Sequence, residues 1–191
     1  MFTRYIRPSI SLLFVMTMLL GVAYPLAITG LARAVFPSQA AGSLVHRGNV
    51  LVGSTLVGQS FSDPKYFWGR PSATAPQPYN GMASGGSNLG PLNPALLDKV
   101  AAEVKLLHDA DPGNTRPVPV DLVTASASGL DPEISPAAAE YQASRVARLR
   151  NLPLTAVQAL IARHQKRALF DVLGEARINV LELNLALDSL R

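Results

Sequence analysis

The chain has 191 residues with 17 lysines and arginines against 13 acidic residues, a formal charge of +4, and no cysteine. That length accommodates one domain with a sizeable core beside a membrane segment, and the modest charge leaves no electrostatic footprint for nucleic acid. The absence of cysteine excludes thiol catalysis and disulfide scaffolding, and it fits an exported domain or a cytosolic one equally.

The chain opens with Arg4 and Arg7, after which about 25 residues, Pro8 to Ala32, run without a charge until Arg33. At about 1.5 Å of rise per residue, such a run exceeds the roughly 30 Å of a hydrocarbon core. A cleaved signal ending at Ser38-Gln39-Ala40 is the rival reading, but signal cores run to about 7 to 15 apolar residues, and retention is expected. Tyr5 and Phe36 lie near the two ends, at headgroup depth. Pro25 is expected to kink the helix, and Gly21 and Gly30 leave room for another helix to approach. With Arg4 and Arg7 before the span and Arg33 alone close behind it, the positive-inside rule puts the N-terminus in the cytoplasm. The expected layout is a cytoplasmic N-terminus over 1–9, a transmembrane helix over 10–33 and an extracytoplasmic soluble domain over 34–191.

After the span, Leu44-Val45-His46, the turn Arg47-Gly48-Asn49 and Val50-Leu51-Val52 read as a β-hairpin, with Thr55-Leu56-Val57 as a continuation or a further strand. From Gln59 to Pro94 the chain is rich in Gly, Pro, Ser and Asn with Tyr66, Phe67, Trp68 and Tyr79 interspersed, and no period is present. A loop of that length is either functional or held down by its own aromatics, and the two roles remain open for these four rings. Asn93-Pro94 reads as a cap and first turn of a helix whose apolar face is Leu96, Leu97, Val100, Ala101, Val104 and Leu107, ending near Asp111-Pro112-Gly113. Val118, Val120 and Leu122 alternate as in a half-buried strand, and Ser126 to Ser135 reads as loop. A helix from Ser135-Pro136 to about Arg150 follows, and Thr155 with Gln158 makes a capping box for another on which Val157, Leu160 and Ile161 are buried. The segment Ile178 to Leu187 reads as a strand passing into a short helix near Asn184. The fold class is α+β, a single N-terminal transmembrane helix followed by one mixed α+β domain without internal repeats.

The usual enzyme signatures are missing: no phosphate loop, no histidine pair at zinc spacing, no nucleophile elbow. His46, His108 and His164 stand apart from one another, so no metal site is expected, and Asp109 with Asp111 reads as turn chemistry. Between Glu140 and Asp171 lie Arg145, Arg148, Arg150, Arg163, Lys166 and Arg167 with no acid among them. This stretch reads as solvated helix faces, or as a contact for lipid phosphates or an acidic partner.

Three blocks have marked individuality: Gly58-Gln59-Ser60-Phe61, Tyr66-Phe67-Trp68-Gly69-Arg70-Pro71-Ser72, and Tyr79-Asn80-Gly81 with Ala83-Ser84-Gly85-Gly86-Ser87-Asn88-Leu89-Gly90-Pro91. Together with the span, Asn93-Pro94, Ile134-Ser135-Pro136, Arg145-Val146-Ala147 and Asn179-Val180-Leu181-Glu182-Leu183-Asn184, they resemble the C subunit of the Kdp-type potassium-transporting ATPase of bacteria and archaea over nearly the whole chain. The resemblance implies a non-catalytic subunit in the bacterial inner membrane, working with a channel-like A subunit, an ATP-hydrolysing B subunit and a small F subunit. It implies a role in assembly, and in family descriptions a catalytic chaperone that raises the ATP affinity of the B subunit. The P-type Asp-Lys-Thr-Gly motif is absent here. ATP is the one cofactor the resemblance suggests, held by a signature-like loop whose counterpart is Ser84, Gly85, Gly86, Ser87 and Asn88.

Amides around Gly85 and Gly86 would form a phosphate nest, with Arg70 as counter-charge. The expected topology opposes this, because it puts the loop outside, where ATP is scarce. An exported hydrolase using Ser84 or Ser87 and a regulatory nucleotide-binding module are the competing functions; the first lacks a base and the second needs the reverse topology.

Overall fold

A computed structural model describes residues 2–168, 170 and 172–190, so Asp171, at the far end of the acid-free stretch, lies outside the described residues. The chain divides into a first unit, Met1–Leu44, and a second, Val45–Arg191.

In the first unit, α1 (Phe2–Met18) and α2 (Tyr24–Val35) are joined by a π turn over Leu19–Ala23, and a short α3 (Pro37–Ala40) follows. The segment Arg4–Val35 is long and apolar enough to cross a membrane. Where Pro25 is expected to kink a plain α-helix, its effect is the π turn. Pro25 has no N–H and its ring would meet the Gly21 carbonyl, so the preceding amide, Tyr24, reaches five residues back to the Leu19 carbonyl.

The second unit begins with the expected hairpin, β1 (Leu44–Arg47) paired with β2 (Val50–Ser54). Thr55-Leu56-Val57 is not a further strand but a tight turn, with Ser54 bridged to Val57 and the Ser54 hydroxyl accepting from the Leu56 amide at 3.1 Å. Residues 58–93 contain no helix or strand. Asn93 caps α4 (Pro94–Ala110), its side chain accepting from the Ala95 amide, with Pro94 in the first turn. Of the expected apolar face only Leu107 is fully buried, and Leu97 is 65% exposed.

The expected strand at Val118–Leu122 is a 3₁₀ turn over Val120–Leu122. Pro117 and Pro119 remove the amides a ladder would need, so Leu122 is buried while Val120 faces solvent. The Ser126–Ser135 segment is not wholly loop, because Glu133–Ile134 forms β3. It pairs antiparallel with β5 (Arg177–Asn179), which pairs on its other side with β4 (Gln165–Lys166), Ile178 lying opposite both Ile134 and Gln165.

Helix α5 (Pro136–Arg150) starts as expected at Ser135, whose hydroxyl accepts from the Ala138 amide, while Asp121 receives the amide and hydroxyl of Ser135 at 2.7 and 3.2 Å. Asn151, left-handed at φ 54°, closes it. The capping box at Thr155 does not form. The connection is so short that Pro153 itself caps α6 (Leu154–His164), its carbonyl taking the amides of Ala156 and Val157, and Gln158 reaches Glu140 instead. The terminal strand gives way to α7 (Val180–Ser189) four residues before Asn184, because the Asn179 side chain accepts from the Glu182 amide and so starts the helix there.

Helix α6 packs on both α5 and α7, and all three helices pack on β5. The small Ala138, Ala139, Ala143 and Ala147 let α5 approach closely, and Val146, Val157, Ile161, Ile178, Leu183 and Leu187 fill the core. Phe67, from the long loop, is wholly buried in the same core.

Candidate functional site

The Gly/Ser-rich loop is the segment whose sequence most invites a function, and its backbone is held by two buried amides. Asn184 accepts the Phe67 amide on Oδ1 and donates Nδ2 to the Phe67 carbonyl, both at 2.9 Å. Gln142 does the same for Trp68, accepting at 2.8 Å and donating at 3.1 Å. Each side chain replaces a neighbouring strand, giving an irregular loop the backbone partners a sheet would have supplied. Asn179 likewise donates to the Thr55 carbonyl at 2.9 Å.

Arg145 secures the same stretch from below. It is 2% exposed, donates to Gln142 Oε1 at 2.6 Å and to the Pro64 carbonyl, and lies 4.3 Å from the centroid of the Trp68 ring. Burial pushes its guanidinium down to about 10, against the opposing pull of Asp111, so it remains a cation near neutrality. The other cations expected to form a solvated face or a lipid contact are only partly free. Arg148 pairs with Asp111 at 2.8 Å, Arg150 with Asp188 at 2.8 Å, and Lys166 with Glu182 at 3.2 Å. Arg145 and Arg150 are thus internal braces, and Arg163 and Arg167 are the exposed remainder. Asp188 gathers Arg47, Arg150 and the Tyr66 hydroxyl. Burial raises its carboxyl, but the hydrogen bonds from Arg150 and Tyr66 outweigh that and hold it below the ordinary carboxylate range.

Further along the loop, the Ser72 hydroxyl donates to the Gly129 carbonyl at 2.7 Å and accepts the Tyr79 amide at 2.9 Å. The Tyr79 hydroxyl donates to the Arg70 carbonyl at 2.5 Å, and burial, aided by Asp131, pushes it up to about 12. Gly58 has no side chain because a Cβ there would overlap the Tyr79 ring.

The residues read as a nucleotide loop fall in two places. Arg70 forms an ion pair with Asp131 at 3.1 Å and borders a cleft of about 250 Å³ with Phe61, Trp68, Tyr79, Glu103 and Leu107. Ser87 borders a separate cleft of about 230 Å³ with Lys99, Glu103 and Val123. The Ser84 hydroxyl and the Gly85 amide both donate to the Ser128 carbonyl, at 3.0 and 2.9 Å, so the first amide of a nest is already engaged. Asn88 is left-handed at φ 52° and exposed. Glu103 lies where the two clefts meet, its carboxyl raised by burial. Among the described residues, no group of His, Asp and Glu is placed to hold a metal ion.

Neither Gly85 nor Gly86 has a positive φ, so space rather than conformation separates them. A Cβ on Gly86 would stand 2.9 Å from the Ala127 carbonyl oxygen, backbone that cannot swing aside, whereas Gly85 faces open space. Gly86→Ala is therefore expected to cost about 1–3 kcal/mol and Gly85→Ala less than about 0.5 kcal/mol, read by urea unfolding of the purified chain. Equal effects would show that the loop does not rest on Ala127.

Sequence reasoning read Arg145 only as one cation of a basic stretch and missed Gln142 and Asn184 as functional positions, although both carry a signal. Gln142 follows Ala138 and precedes Val146 by one turn, and Asn184 stands between Val180 and Leu187. A polar residue on an apolar stripe must find partners when buried.

Residues 6–189 match the family model described as KdpC, K+-transporting ATPase, c chain. The chain is 67% identical over 184 residues, 96% of this chain and 95% of the other, to the potassium-transporting ATPase KdpC subunit of Variovorax paradoxus strain S110. It is 64% identical to the KdpC subunit of Polaromonas naphthalenivorans strain CJ2, over 97% of this chain and 95% of that one. It is 59% identical to the KdpC subunit of Methylococcus capsulatus strain Bath, over 98% and 99%.

Proposed function

Because the chain belongs to the KdpC family of K+-transporting ATPase c chains, we propose that it is a non-catalytic, membrane-anchored subunit of an ATP-driven potassium uptake complex, needed for assembly and stability. Its partners are the channel-like A subunit, the ATP-hydrolysing B subunit and the small F subunit. Residues 1–9 face the cytoplasm of a bacterial cell, 10–33 span the inner membrane, and 34–191 lie outside.

The observation that carries this reading is the engagement of Ser84 and Gly85 by the Ser128 carbonyl. The loop most like a reactive or phosphate-binding element is bonded to its own chain, which favours a formed surface over chemistry. A hydrolase would need the Ser84 proton directed to a base, and it is directed to a carbonyl. In the proposed topology any effect on the ATP affinity of the B subunit passes through the span, not through contact between the loop and nucleotide.

Affinity purification of the tagged chain from membranes, with identification of what accompanies it, tests the assignment. The A, B and F subunits are expected in the eluate, and a chain recovered without them would contradict it.

A further inference from the structure

Between β4 and β5 the chain turns apolar side chains outward. Phe170 is 82% exposed, Val172 79% and Leu173 60%, although Ile178, in the strand that follows, is wholly buried. Single exposed apolar residues need no explanation, but three within four positions form a patch. The foot of the same loop is basic. Lys166 and Arg177 stand opposite each other in the β4–β5 pairing, like charges that a ladder disfavours. Each turns to an acid on another element, Lys166 to Glu182 at 3.2 Å and Arg177 to Glu133 at 2.9 Å. Arg163 and Arg167 are exposed and form no ion pair among the described residues. From Arg163 to Arg177 these four cations outnumber the two acids, Asp171 and Glu175.

The loop is also within reach of a bilayer. The membrane helix ends at Val35 and the second unit starts at Val45, with α3 taking up four of the residues between, so the tether spans at most about 25 Å. It enters at β1, whose start lies beside the end of β2 in the hairpin. That end touches the β5–α7 junction: a Cβ on Gly53 would stand 3.0 Å from Leu181, and the Thr55 carbonyl accepts from Asn179. Asn179 closes β5, about 7 Å along the strand from the foot of the loop at Arg177.

We propose that the β4–β5 loop rests on the surface of the bilayer that anchors the chain, with Phe170, Val172 and Leu173 entering the boundary between headgroups and acyl chains and Arg163 and Arg167 meeting phosphates of anionic lipid. An apolar tip alone would suit any hydrophobic partner. Unpaired arginines beside it match a surface that is negatively charged above and apolar a few ångströms below. The contact is a second tie to the membrane besides the helix. It rests on the membrane-anchored part of the reading above, and needs neither the other pump subunits nor a particular side of the membrane.

The chain has no cysteine, so Val172→Cys in the full chain carries one environment-sensitive fluorophore, and Met82→Cys, 98% exposed on another loop, is the reference. Both are reconstituted into vesicles of phosphatidylcholine and phosphatidylglycerol. Spin-labelled lipid is expected to quench the label at 172 roughly twofold more than the label at 82, and aqueous iodide the reverse. Arg163→Gln combined with Arg167→Gln, or vesicles of phosphatidylcholine alone, are expected to raise iodide quenching at 172 roughly three-fold. Equal iodide access at 172 and 82 overturns the contact. So does a label at 172 that neither iodide nor lipid reaches, the mark of a protein partner such as a second copy of this chain. Lipid quenching indifferent to both the arginines and the lipid charge contradicts the phosphate contact. A chain that does not float with the vesicles defeats the membrane anchor itself.

Discussion

Asn184→Leu is expected to lower the thermal midpoint of the 45–191 unit by about 10 °C. Leucine keeps the branching of asparagine at Cγ but is the larger side chain, so some overpacking at this buried position adds to the loss. The larger part of the effect is that the Phe67 amide and carbonyl, both now paired with Asn184 at 2.9 Å and buried, lose the one partner they have among the described residues. Each such orphan costs about 1–3 kcal/mol, and a unit of this size loses roughly 3 °C per kcal/mol. The wholly buried Phe67 side chain would then be held by packing alone, and limited proteolysis should cut between Gln59 and Pro94. An unchanged midpoint would mean that the loop is anchored elsewhere.

Arg145→Ala is expected to cost about 3 kcal/mol, and Arg145→Met about 1 kcal/mol. The alanine leaves a cavity beneath Trp68, takes from Gln142 Oε1 one of its two donors and removes the guanidinium donor to the Pro64 carbonyl, while methionine refills most of the space. The difference between the two variants separates packing from hydrogen bonding. Trp68, the only tryptophan in the chain, reports directly. Its emission should move to longer wavelength in Arg145→Ala as water reaches the face that the guanidinium now covers at 4.3 Å. Emission that stays put in a destabilised Arg145→Ala would show that the stack does not shield the ring.

Helix starts were legible because their signals are local. Asn93-Pro94 and Ser135-Pro136 each place a capping side chain one residue before a proline, and both helices begin there. Elements that depend on distant partners were not legible. Val118 to Leu122 alternates correctly for a strand, but Pro117 and Pro119 deny it a ladder and Asp121 is drawn to Ser135. The six cations between Glu140 and Asp171 looked like one charged surface because linear sequence hides what faces them. Asp111 and Asp188, which hold Arg148 and Arg150, come from other helix ends.

The site was legible in its backbone half only. The run from Tyr66 to Ser72 and the Ser84–Asn88 block stood out by composition, and both lie on the loop that the fold holds. The side chains that do the holding, Gln142 and Asn184, sit 74 and 117 residues further along the chain than the positions they clip. No local rule joins such residues; the packing of α5 and α7 on α6 and β5 brings them to the loop.

Assembly from outside and nucleotide contact from within exclude each other, so the side of the membrane at which this loop is displayed decides between them. The chain has no cysteine and Met82, in the middle of the loop, is 98% exposed, so Met82→Cys introduces a single reactive thiol without disturbing the fold. Intact cells treated with a membrane-impermeant maleimide should label that cysteine fully, with no further gain after permeabilisation. Labelling only after the inner membrane is opened would place the loop in the cytoplasm, contradict the proposed topology and return Ser84 to Asn88 to contention as a nucleotide site.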